Sequence, residues 1–347
     1  MESVFLKTLK QEKTQVPPVW MMRQAGRYHS HYQALKARHS FMELCMVPEL
    51  AAEVAMGPIQ DFDFDAAILF SDLLFPFKAL GQGLDYTDQG PQLGFRLTPE
   101  NFKELKHWQE AVPEMGFQKK AMQLTREKLP ASKGLIGFVG GPWTLFVYSV
   151  EGTHAGSLIA SKKYLQSPLW TDFSEMMTNF LIENIRMQFA GGADVVMIFD
   201  TAAGELSPAL YSEKIVPSLA RLAQEFPGKL GYYSKGTTAA HFTDSLFNSI
   251  PWAGQGFDHR FNLPQQLQSR ALMQKKGFVQ GNFDQALLHL ESADFRSVLR
   301  KYLETFRGVS ADERRGWVCG LGHGVLPKTP EANVRYFVEE VRRFFND

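Results

Sequence analysis

Cysteines and long apolar runs are scarce in this 347-residue chain. The two cysteines, Cys45 and Cys319, lie far apart. They give neither a disulfide framework nor the paired spacing of a zinc finger, which suits a reducing cytoplasm. No stretch approaches the roughly 18 apolar residues of a membrane span, and residues 1–7 lack the apolar core of a signal peptide. We therefore expect a cytoplasmic protein with no membrane contact.

An excess of charge of either sign is also absent. The 37 Lys and Arg residues balance the 37 Asp and Glu residues. A chain without net charge has no overall field to draw it toward nucleic acid. We therefore expect no nucleic-acid partner, and any recognition of an anion must come from a local group of cationic side chains.

Several catalytic motifs are missing as well. The sequence contains no Walker loop, no Gly-x-Ser-x-Gly elbow and no His-Glu-x-x-His pair. The glycines at residues 320–324 do not have the spacing of a dinucleotide-binding loop. These absences argue against nucleotide chemistry, and we expect neither a metal nor an organic cofactor.

The apolar residues that are present form a repeating pattern. Hydrophobic residues make up 44% of the chain, enough for one large core. About eight short apolar runs, beginning with residues 19–22, alternate with helical segments and end in glycine or polar residues. This alternation predicts an α/β fold, a single (β/α)8 TIM-type barrel over residues 1–347 with its cleft at the C-terminal strand ends. A doubly wound sheet is the competing architecture.

Polar residues follow most of the predicted strands. In either architecture the carboxyl ends of parallel strands share one edge, so these residues are expected to converge on one cleft. They are Arg23, Arg27, Asp72, Thr201, Ser234, Asp258, Asn282 and His323.

The two arginines of this set stand four residues apart. A guanidinium group offers carboxylates or phosphates a planar, fork-shaped pair of donors that lysine cannot match. Arg23 and Arg27 therefore predict a ligand with more than one acidic group. The alternative is that they cap a turn and pair with Glu43 or Glu53.

Three other candidates have structural alternatives. Asp72 follows a continuously apolar run, where a carboxylate is costly unless something beyond the strand uses it. It could instead cap a helix, although residues 73–76 do not look like a helix start. His323 lies between two glycines, and its position at the predicted mouth favours a site over a bond to the main chain. Tyr148, taken by pattern alone, is more typical of a core.

Two local predictions concern the region between the second and third strands. Residues 81–95 are rich in Gly, Gln and Asp and predict a surface loop. Thr98 and Pro99 have the residue types of an N-cap and a first helical position, so they predict a helix start.

Two segments resemble a known family. Residues 18–28, PVWMMRQAGRY, and residues 137–145, GFVGGPWTL, are similar to the two signature segments of the uroporphyrinogen decarboxylases. The resemblance extends from about residue 17 to the end of the sequence, and the arginine segment is highly specific. Shorter matches occur at residues 70–74, 198–201, 279–282 and 321–324.

The resemblance implies a cofactor-free, homodimeric enzyme of haem biosynthesis. Such an enzyme removes carbon dioxide from the four acetate arms of uroporphyrinogen III, a tetrapyrrole, and gives coproporphyrinogen III. Asp72 would be the catalytic residue and face the pyrrole N–H groups of the substrate. The other substrate-binding residues implied by position are Arg23, Gln24, Ala25, Gly26, Arg27, Tyr148, Thr201 and His323.

The chain departs from the family pattern at several positions. The family usually continues Arg-Tyr-Leu-Pro-Glu, whereas residues 29–31 are His-Ser-His here. Lys36 stands where a substrate-contacting arginine is often found, so it is a possible substrate contact. Gly320 replaces an Asn.

Two other functions compete with this interpretation. Zinc-dependent corrinoid or thiol methyltransferases share the fold, but they commonly use a His-x-Cys pair, and neither Cys45 nor Cys319 has a histidine two residues before it. A non-catalytic tetrapyrrole carrier would need the arginines but not Asp72.

Overall fold

A curled sheet of seven parallel strands forms the centre of the fold. The computed structural model describes residues 3–87, 90–154, 156–274 and 276–346. The strands are β1 (Ala66–Ile68), β2 (Asp85–Thr87), β3 (Gly90–Gln92), β4 (Gly134–Gly140), β5 (Val195–Asp200), β6 (Leu230–Ser234), β7 (Gly254–Gly256), β8 (Phe278–Phe283) and β9 (Trp317–Leu321). Strands β2 and β3 pair antiparallel, apart from the sheet.

Helices connect successive strands of the sheet, as parallel pairing requires. The α-helices are Val4–Leu9, Ser30–Lys36, Phe41–Met46, Pro48–Phe62, Phe75–Ala79, Trp108–Ala111, Gly116–Lys128, Pro142–Glu151, Ile159–Tyr164, Pro168–Ala190, Pro208–Lys214, Val216–Glu225, Ser245–Ser249, Leu263–Leu272, Ser292–Glu304 and Glu331–Asn346. Short 3₁₀ helices occupy Phe102–Glu104, Val112–Met115, Ala203–Glu205, Ala239–Phe242 and Gln285–His289. Within the described ranges, no helix has both the length and the apolar character needed to cross a membrane.

The sheet order is β1-β4-β5-β6-β7-β8-β9, and all of its neighbours are parallel. Every residue of these seven strands is buried. Burial on both faces explains why the strands appear in the sequence as continuous rather than alternating apolar runs. The prediction of an α/β fold with parallel strands is confirmed.

The two edges of this sheet both contact the segment Pro18–Trp20. Val19 forms an isolated parallel bridge with Cys319 in β9, and the Trp20 amide donates to the Cys319 carbonyl at 3.1 Å. On the other side, the Asp65 amide next to β1 donates to the Val19 carbonyl at 2.9 Å. The Asp65 carboxylate accepts from the Val19 amide at 2.8 Å.

Residues 19–22 were predicted as the first regular strand, and that prediction is wrong in detail. Two prolines precede Val19, and proline has no amide hydrogen for a strand ladder. A turn follows at once, because the Gln24 amide donates to the Met21 carbonyl at 3.1 Å. The segment is therefore limited to an isolated bridge.

Gly320 allows the segment to approach β9 closely. A Cβ atom at this position would lie 2.0 Å from the main-chain oxygen of Trp20. No side chain fits there without a shift of the main chain, so the glycine at this departure from the family pattern has a packing reason.

Three local predictions are corrected by the structure. Part of the predicted loop 81–95 forms the β2–β3 pair. No helix starts at Thr98, because its amide is bonded by the Asn101 side chain, and the first 3₁₀ turn starts at Phe102. Residues 73–76 do lead into a helix, which begins at Phe75 with Pro76 in its first turn.

Candidate active site

All seven strands are parallel, so their C-terminal ends lie together at one end of the sheet. Thr201 follows β5, Lys235 follows β6, and His323 lies two residues beyond β9. Asp72 comes from the segment after β1. Residues from distant parts of the chain are thereby gathered at one edge, as the strand pattern predicts.

Residues 23–27 form a loop, here called the arginine loop, which is anchored by the buried side chain of Gln24. Its side chain is fully buried, accepts from the Met21 amide at 3.4 Å and donates to the Ala66 carbonyl at 2.9 Å. The Tyr28 hydroxyl donates to the Gln24 carbonyl at 2.8 Å. Gln24 therefore anchors the loop to β1, and its direct contact with a substrate stays a prediction, as do those of Ala25 and Gly26.

Arg23 is an exposed residue of this loop. Its backbone is left-handed, with φ of 61°, a conformation that costs a non-glycine residue about 1–3 kcal/mol. Its side chain lies over Gly324, where a Cβ atom would be 2.4 Å from the Arg23 Cδ. The Arg23 charge lowers the pKa of both Asp72 and His323.

The His-Ser-His departure lies behind the arginine loop. The His29 side chain is fully buried, and its Nε2 lies 2.7 Å from the Asp61 carboxylate. Its ring packs 5.0 Å from that of Phe62. Burial lowers the pKa of His29, although the hydrogen bond with Asp61 opposes this. His31 packs against Gly57, where a Cβ would lie 2.4 Å from its Nδ1. His29 and His31 thus pack behind the arginine loop and support it.

Asp72 is half-buried in the segment that follows β1. Its Oδ1 accepts from the Leu74 amide at 2.9 Å, just before the helix Phe75–Ala79. Burial raises the pKa of Asp72, against the lowering effects of this bond and of Arg23. The buried Tyr86 hydroxyl faces the same carboxylate and forms no well-aligned hydrogen bond within the described part of the chain. Asp72 therefore combines the cap-like bond with a position open to a ligand.

His323 is held in one orientation by Tyr233. The Tyr233 hydroxyl lies 3.0 Å from Nδ1 of His323 and donates to the Gly322 carbonyl at 2.8 Å. Because the hydroxyl has a single proton, we assign the other proton to Nδ1 of His323, which leaves Nε2 as an acceptor. Burial lowers the pKa of His323 to about 3, helped by Arg23 and Lys235. The imidazole is therefore neutral at ordinary pH.

Thr201 is positioned by a buried polar network. Asp200, at the end of β5, accepts from Thr144 Oγ1 at 2.5 Å and from the Tyr232 hydroxyl at 3.2 Å. Burial raises the pKa of Asp200 to about 6. The next turn is fixed because the Ala202 amide donates to Thr144 Oγ1 at 3.0 Å. Thr201 lies between these two anchored residues and is half-buried.

Tyr148 lies in the helix Pro142–Glu151 and is half-buried, so it is not the fully enclosed core residue that pattern alone predicts. Its hydroxyl is hydrogen-bonded to Nδ1 of His154. Burial, followed by the charge of Asp72, raises the pKa of Tyr148 to about 12. The phenol is therefore protonated at ordinary pH.

Three of the predicted site residues form hydrogen bonds with the surrounding loops. The Ser234 hydroxyl is bonded to Thr237 at 2.8 Å. The buried Asp258 accepts from the Gly236 amide at 2.9 Å. The Asn282 side chain donates to the Asp258 carbonyl at 2.9 Å. These side chains stabilise the loops at the edge of the sheet. Arg27 and Lys36 are exposed, and their contacts with a substrate stay predictions.

Sequence reasoning missed several groups that face this cleft. Lys235 and His154 both act on His323 electrostatically, and so does His259. The signal for Lys235 was available, because it directly follows β6. Tyr233 is buried within β6, and no sequence pattern distinguishes it from a core tyrosine.

The groups that act on one another at this end of the sheet carry charges of both signs. Arg23 and Lys235 carry fixed positive charge, and both depress the pKa of His154 and His323. Glu205 and Asp72 are acids that act on groups of the same cleft. A ligand with several carboxylates and a central group of hydrogen-bond donors would match this distribution.

A metal centre has no obvious donor set here. Across the described residues, no three or more His, Cys, Asp or Glu side chains are grouped so that they could hold a metal ion. Cys45 and Cys319 are both fully buried, and burial raises the pKa of each thiol. A thiol in that environment is a poor source of the thiolate that zinc binds.

The fold is shared with solved methyltransferase structures. A methyltransferase from Methanosarcina mazei matches with a TM-score of 0.79 at 19% identity, covering 99% of this chain and 100% of that one. A putative vitamin-B12-independent methionine synthase from Listeria monocytogenes matches with a TM-score of 0.52 at 11% identity, and each chain is 99% covered. At these identities the likeness concerns the fold alone.

The sequence comparisons are closer and point to one family. A uroporphyrinogen decarboxylase from Thermus thermophilus is 34% identical, covering 99% of this chain and 98% of its own. One from Synechococcus is 33% identical, with 97% of this chain and 96% of its own covered. The family model for uroporphyrinogen decarboxylase matches residues 2–344. The chain belongs to the uroporphyrinogen decarboxylase family.

Proposed function

We propose that this protein decarboxylates the four acetate arms of uroporphyrinogen III to methyl groups, giving coproporphyrinogen III in haem biosynthesis without a metal or organic cofactor. The observation that carries the proposal is that the Asp72 carboxylate and the cationic Arg23 act on each other electrostatically at the C-terminal end of the sheet. The Asp72 carboxylate can accept hydrogen bonds from a ring of pyrrole N–H donors, and the Arg23 guanidinium can bind carboxylate arms.

The chemistry explains why a fixed carboxylate is useful. An acetate arm on a pyrrole loses carbon dioxide with difficulty because the electron pair left behind needs an acceptor. Protonation of the ring makes the pyrrole cationic and provides that acceptor. The carbon–carbon bond then breaks, carbon dioxide leaves, and a second proton converts the exocyclic carbon to a methyl group while the ring returns its first proton.

Asp72 would act on the charge that develops in this sequence. A preorganised negative group next to the ring nitrogens stabilises the cation more than it stabilises the neutral ring, which lowers the barrier. The bond from the Leu74 amide fixes the carboxylate before the substrate arrives. Arg23 and Arg27 would neutralise the acidic arms, which otherwise repel Asp72.

The other proposed contacts complement these charges. Because His323 is assigned an unprotonated Nε2, it would accept a hydrogen bond from a pyrrole N–H, a carboxylic acid or a water molecule. Thr201 has a hydroxyl group that can donate to a carboxylate, and the Tyr148 hydroxyl oxygen can accept a hydrogen bond from an N–H group or a carboxylic acid. In this account His323 orients the substrate and is not the indispensable proton donor.

We extend the proposal to the architecture. The bridge of Val19 with Cys319 and its bonds with Asp65 support a closed barrel in which the segment Pro18–Trp20 takes the eighth position. A single domain over residues 1–347, a homodimer and a cytoplasmic location are proposed from the family resemblance.

The methyltransferase alternative has the support of the shared fold but not of the donor set. Each cysteine is buried in a separate apolar cluster, Cys319 with Trp317 and Cys45 with Phe75. A tetrapyrrole carrier would not require a carboxylate at the centre of the site. Asp72 therefore favours catalysis over carriage.

The test is anaerobic incubation of the purified, metal-free protein with uroporphyrinogen III, followed by chromatographic counting of the remaining carboxyl groups. We expect stepwise conversion from eight to four carboxylates, unaffected by a chelator. Tight binding without any loss of carboxylates would favour the carrier. Activity that disappears on chelation and returns only with zinc would move the assignment toward metal chemistry.

A further inference from the structure

The helix that carries Tyr148 ends in a turn that folds the chain back over the tyrosine ring. Gly152 terminates the helix with φ of 74°, a left-handed conformation suited to glycine. Its amide donates to the Tyr148 carbonyl at 2.8 Å. The loop beyond is tied back because Glu151 accepts from the Ser161 amide at 2.9 Å. His154 is thereby held within a short, anchored loop.

His154 makes two contacts with Tyr148. Its Nδ1 is hydrogen-bonded to the Tyr148 hydroxyl, and the two ring centroids lie 5.2 Å apart at 48°. The phenol is a weak acid here, so its proton stays on the oxygen. The neutral imidazole accepts the hydrogen bond from this O–H at Nδ1. Nε2 then carries the proton of the imidazole.

The surroundings of His154 favour its neutral form. Burial is the largest influence on its pKa and lowers it, and the charges of Lys235 and Arg23 lower it further. Glu205 is the acid that opposes them. His154 in turn lowers the pKa of His323, so the two histidines influence each other electrostatically.

We propose that His154 is a positioning residue that holds the Tyr148 O–H toward its own Nδ1, so that the lone pairs of the phenol oxygen face the substrate. The inference rests on the proposed decarboxylation, in which Tyr148 contacts the tetrapyrrole. The O–H of a free phenol can rotate about the C–O bond. A hydrogen bond to a histidine in an anchored loop leaves this O–H a single direction. The lone pairs of the phenol oxygen are then available to an incoming N–H or carboxylic acid.

Three variants separate positioning from packing. His154→Phe keeps a ring but removes both nitrogens, and we expect kcat to fall about tenfold, the size of one lost hydrogen bond. His154→Asn places an acceptor oxygen near the position of Nδ1 and should recover most of that loss. The double variant with Tyr148→Phe should be no slower than Tyr148→Phe alone, because His154 acts through the hydroxyl. Equal defects in His154→Phe and His154→Asn, or multiplicative effects in the double variant, would overturn the proposal.

A second measurement does not depend on activity. The His154 imidazole can be titrated by NMR in the wild type and in Tyr148→Phe. The Tyr148 O–H stabilises the neutral imidazole, so its removal should raise the pKa of His154. If the wild type does not decarboxylate at all, the proposed function fails while this titration still decides the pairing. An unchanged pKa in Tyr148→Phe would overturn the positioning role.

Discussion

Arg23 combines a left-handed backbone with an exposed guanidinium, so the residue is held in a costly conformation to present its side chain. Strained backbone of this kind occurs where a surrounding structure holds it for a functional reason. The bonds of Gln24 to Met21 and Ala66 supply that support. A lysine at position 23 would keep the backbone and the charge but lose the planar fork.

We predict that Arg23→Lys raises KM through loss of a charge-assisted pair, with about 1.5–3 kcal/mol of binding free energy at stake. Arg27→Lys is the matched comparison and should have the smaller effect, because Arg27 acts electrostatically on Tyr32, whereas Arg23 acts on Asp72 and His323. Steady-state kinetics at low salt measures both. Unchanged KM and kcat in both variants would remove the pair from the site.

His323 provides a test through pH. Its pKa in the folded protein is about 3, against about 6.5 in an unfolded chain. Between these values the unfolded state binds more protons, so stability falls as pH falls through this window. We predict that His323→Asn retains measurable turnover and shows a smaller drop in Tm between pH 7 and pH 4.5 than the wild type. The exposed His107 supplies a control, as His107→Asn. Complete loss of turnover in a folded His323→Asn variant would make His323 an essential acid.

Residues at strand ends could be recognised from sequence, whereas their supporting partners could not. Asp72, Thr201 and His323 follow apolar runs, and a polar residue at the end of a buried strand is conspicuous. His154 reaches Tyr148 through a left-handed turn and a loop, and no periodicity records such a contact. The same holds for Tyr233, whose bond to His323 joins β6 to the segment after β9.

At the scale of elements, the loop after β9 is shaped to accommodate the arginine loop. Gly324 lies under Arg23 and its φ is not left-handed, so alanine fits the backbone but not the neighbouring side chain. A methyl group would displace the flexible stem of Arg23 and leave the main chain in place. The loop therefore affects binding through the position of one guanidinium.

We predict that Gly324→Ala raises KM by roughly tenfold, the size of one weakened charge-assisted bond, with little change in Tm. Gly308→Ala is the control, because a Cβ there has no neighbour within 4 Å. Kinetics and thermal unfolding of both variants separate binding from folding. A large loss of Tm in Gly324→Ala, with KM unchanged, would contradict the interpretation.

The contact of the segment Pro18–Trp20 with β1 depends on Asp65. This carboxylate accepts from the Val19 amide and lies 3.5 Å from Lys133 and 3.4 Å from Arg342. Its removal leaves a partly buried amide without its partner. We predict that Asp65→Ala lowers the free energy of unfolding by about 1–3 kcal/mol.

Asp65→Asn keeps an acceptor oxygen and should lose less stability than Asp65→Ala. Asp312→Ala is a control at an exposed acid, where an ion pair contributes about 0–1 kcal/mol. Urea unfolding gives all three values. If Asp65→Ala and Asp312→Ala lowered the free energy of unfolding equally, the Asp65 contact would stabilise the fold no more than an exposed ion pair does.

The elements were more predictable than their exact form. Parallel strands were recognisable because each is buried on both faces and appears as an apolar run. The first predicted strand, 19–22, proved to be an isolated bridge because prolines and a turn limit its ladder. Residues 85–92 include a β-pair that the Gly-rich composition concealed.

For the whole molecule, zero net charge means that substrate attraction depends on the cleft. Arg23 and Lys235 supply positive charge beside the neutral His323, while Asp72 is the acid expected to meet the centre of a tetrapyrrole. A polyanion with N–H donors at its centre matches that distribution of charge. The proposed decarboxylation therefore depends most on the negative charge of Asp72.

The most direct test is kcat for uroporphyrinogen decarboxylation by Asp72→Asn, measured beside the wild type. Asparagine preserves the shape but not the charge, so we predict a fall in kcat of roughly 10²–10³, typical of losing one electrostatic group in a site. Asp72→Glu keeps the charge at a different distance and should lose less. A folded Asp72→Asn variant with near-normal kcat would contradict the account.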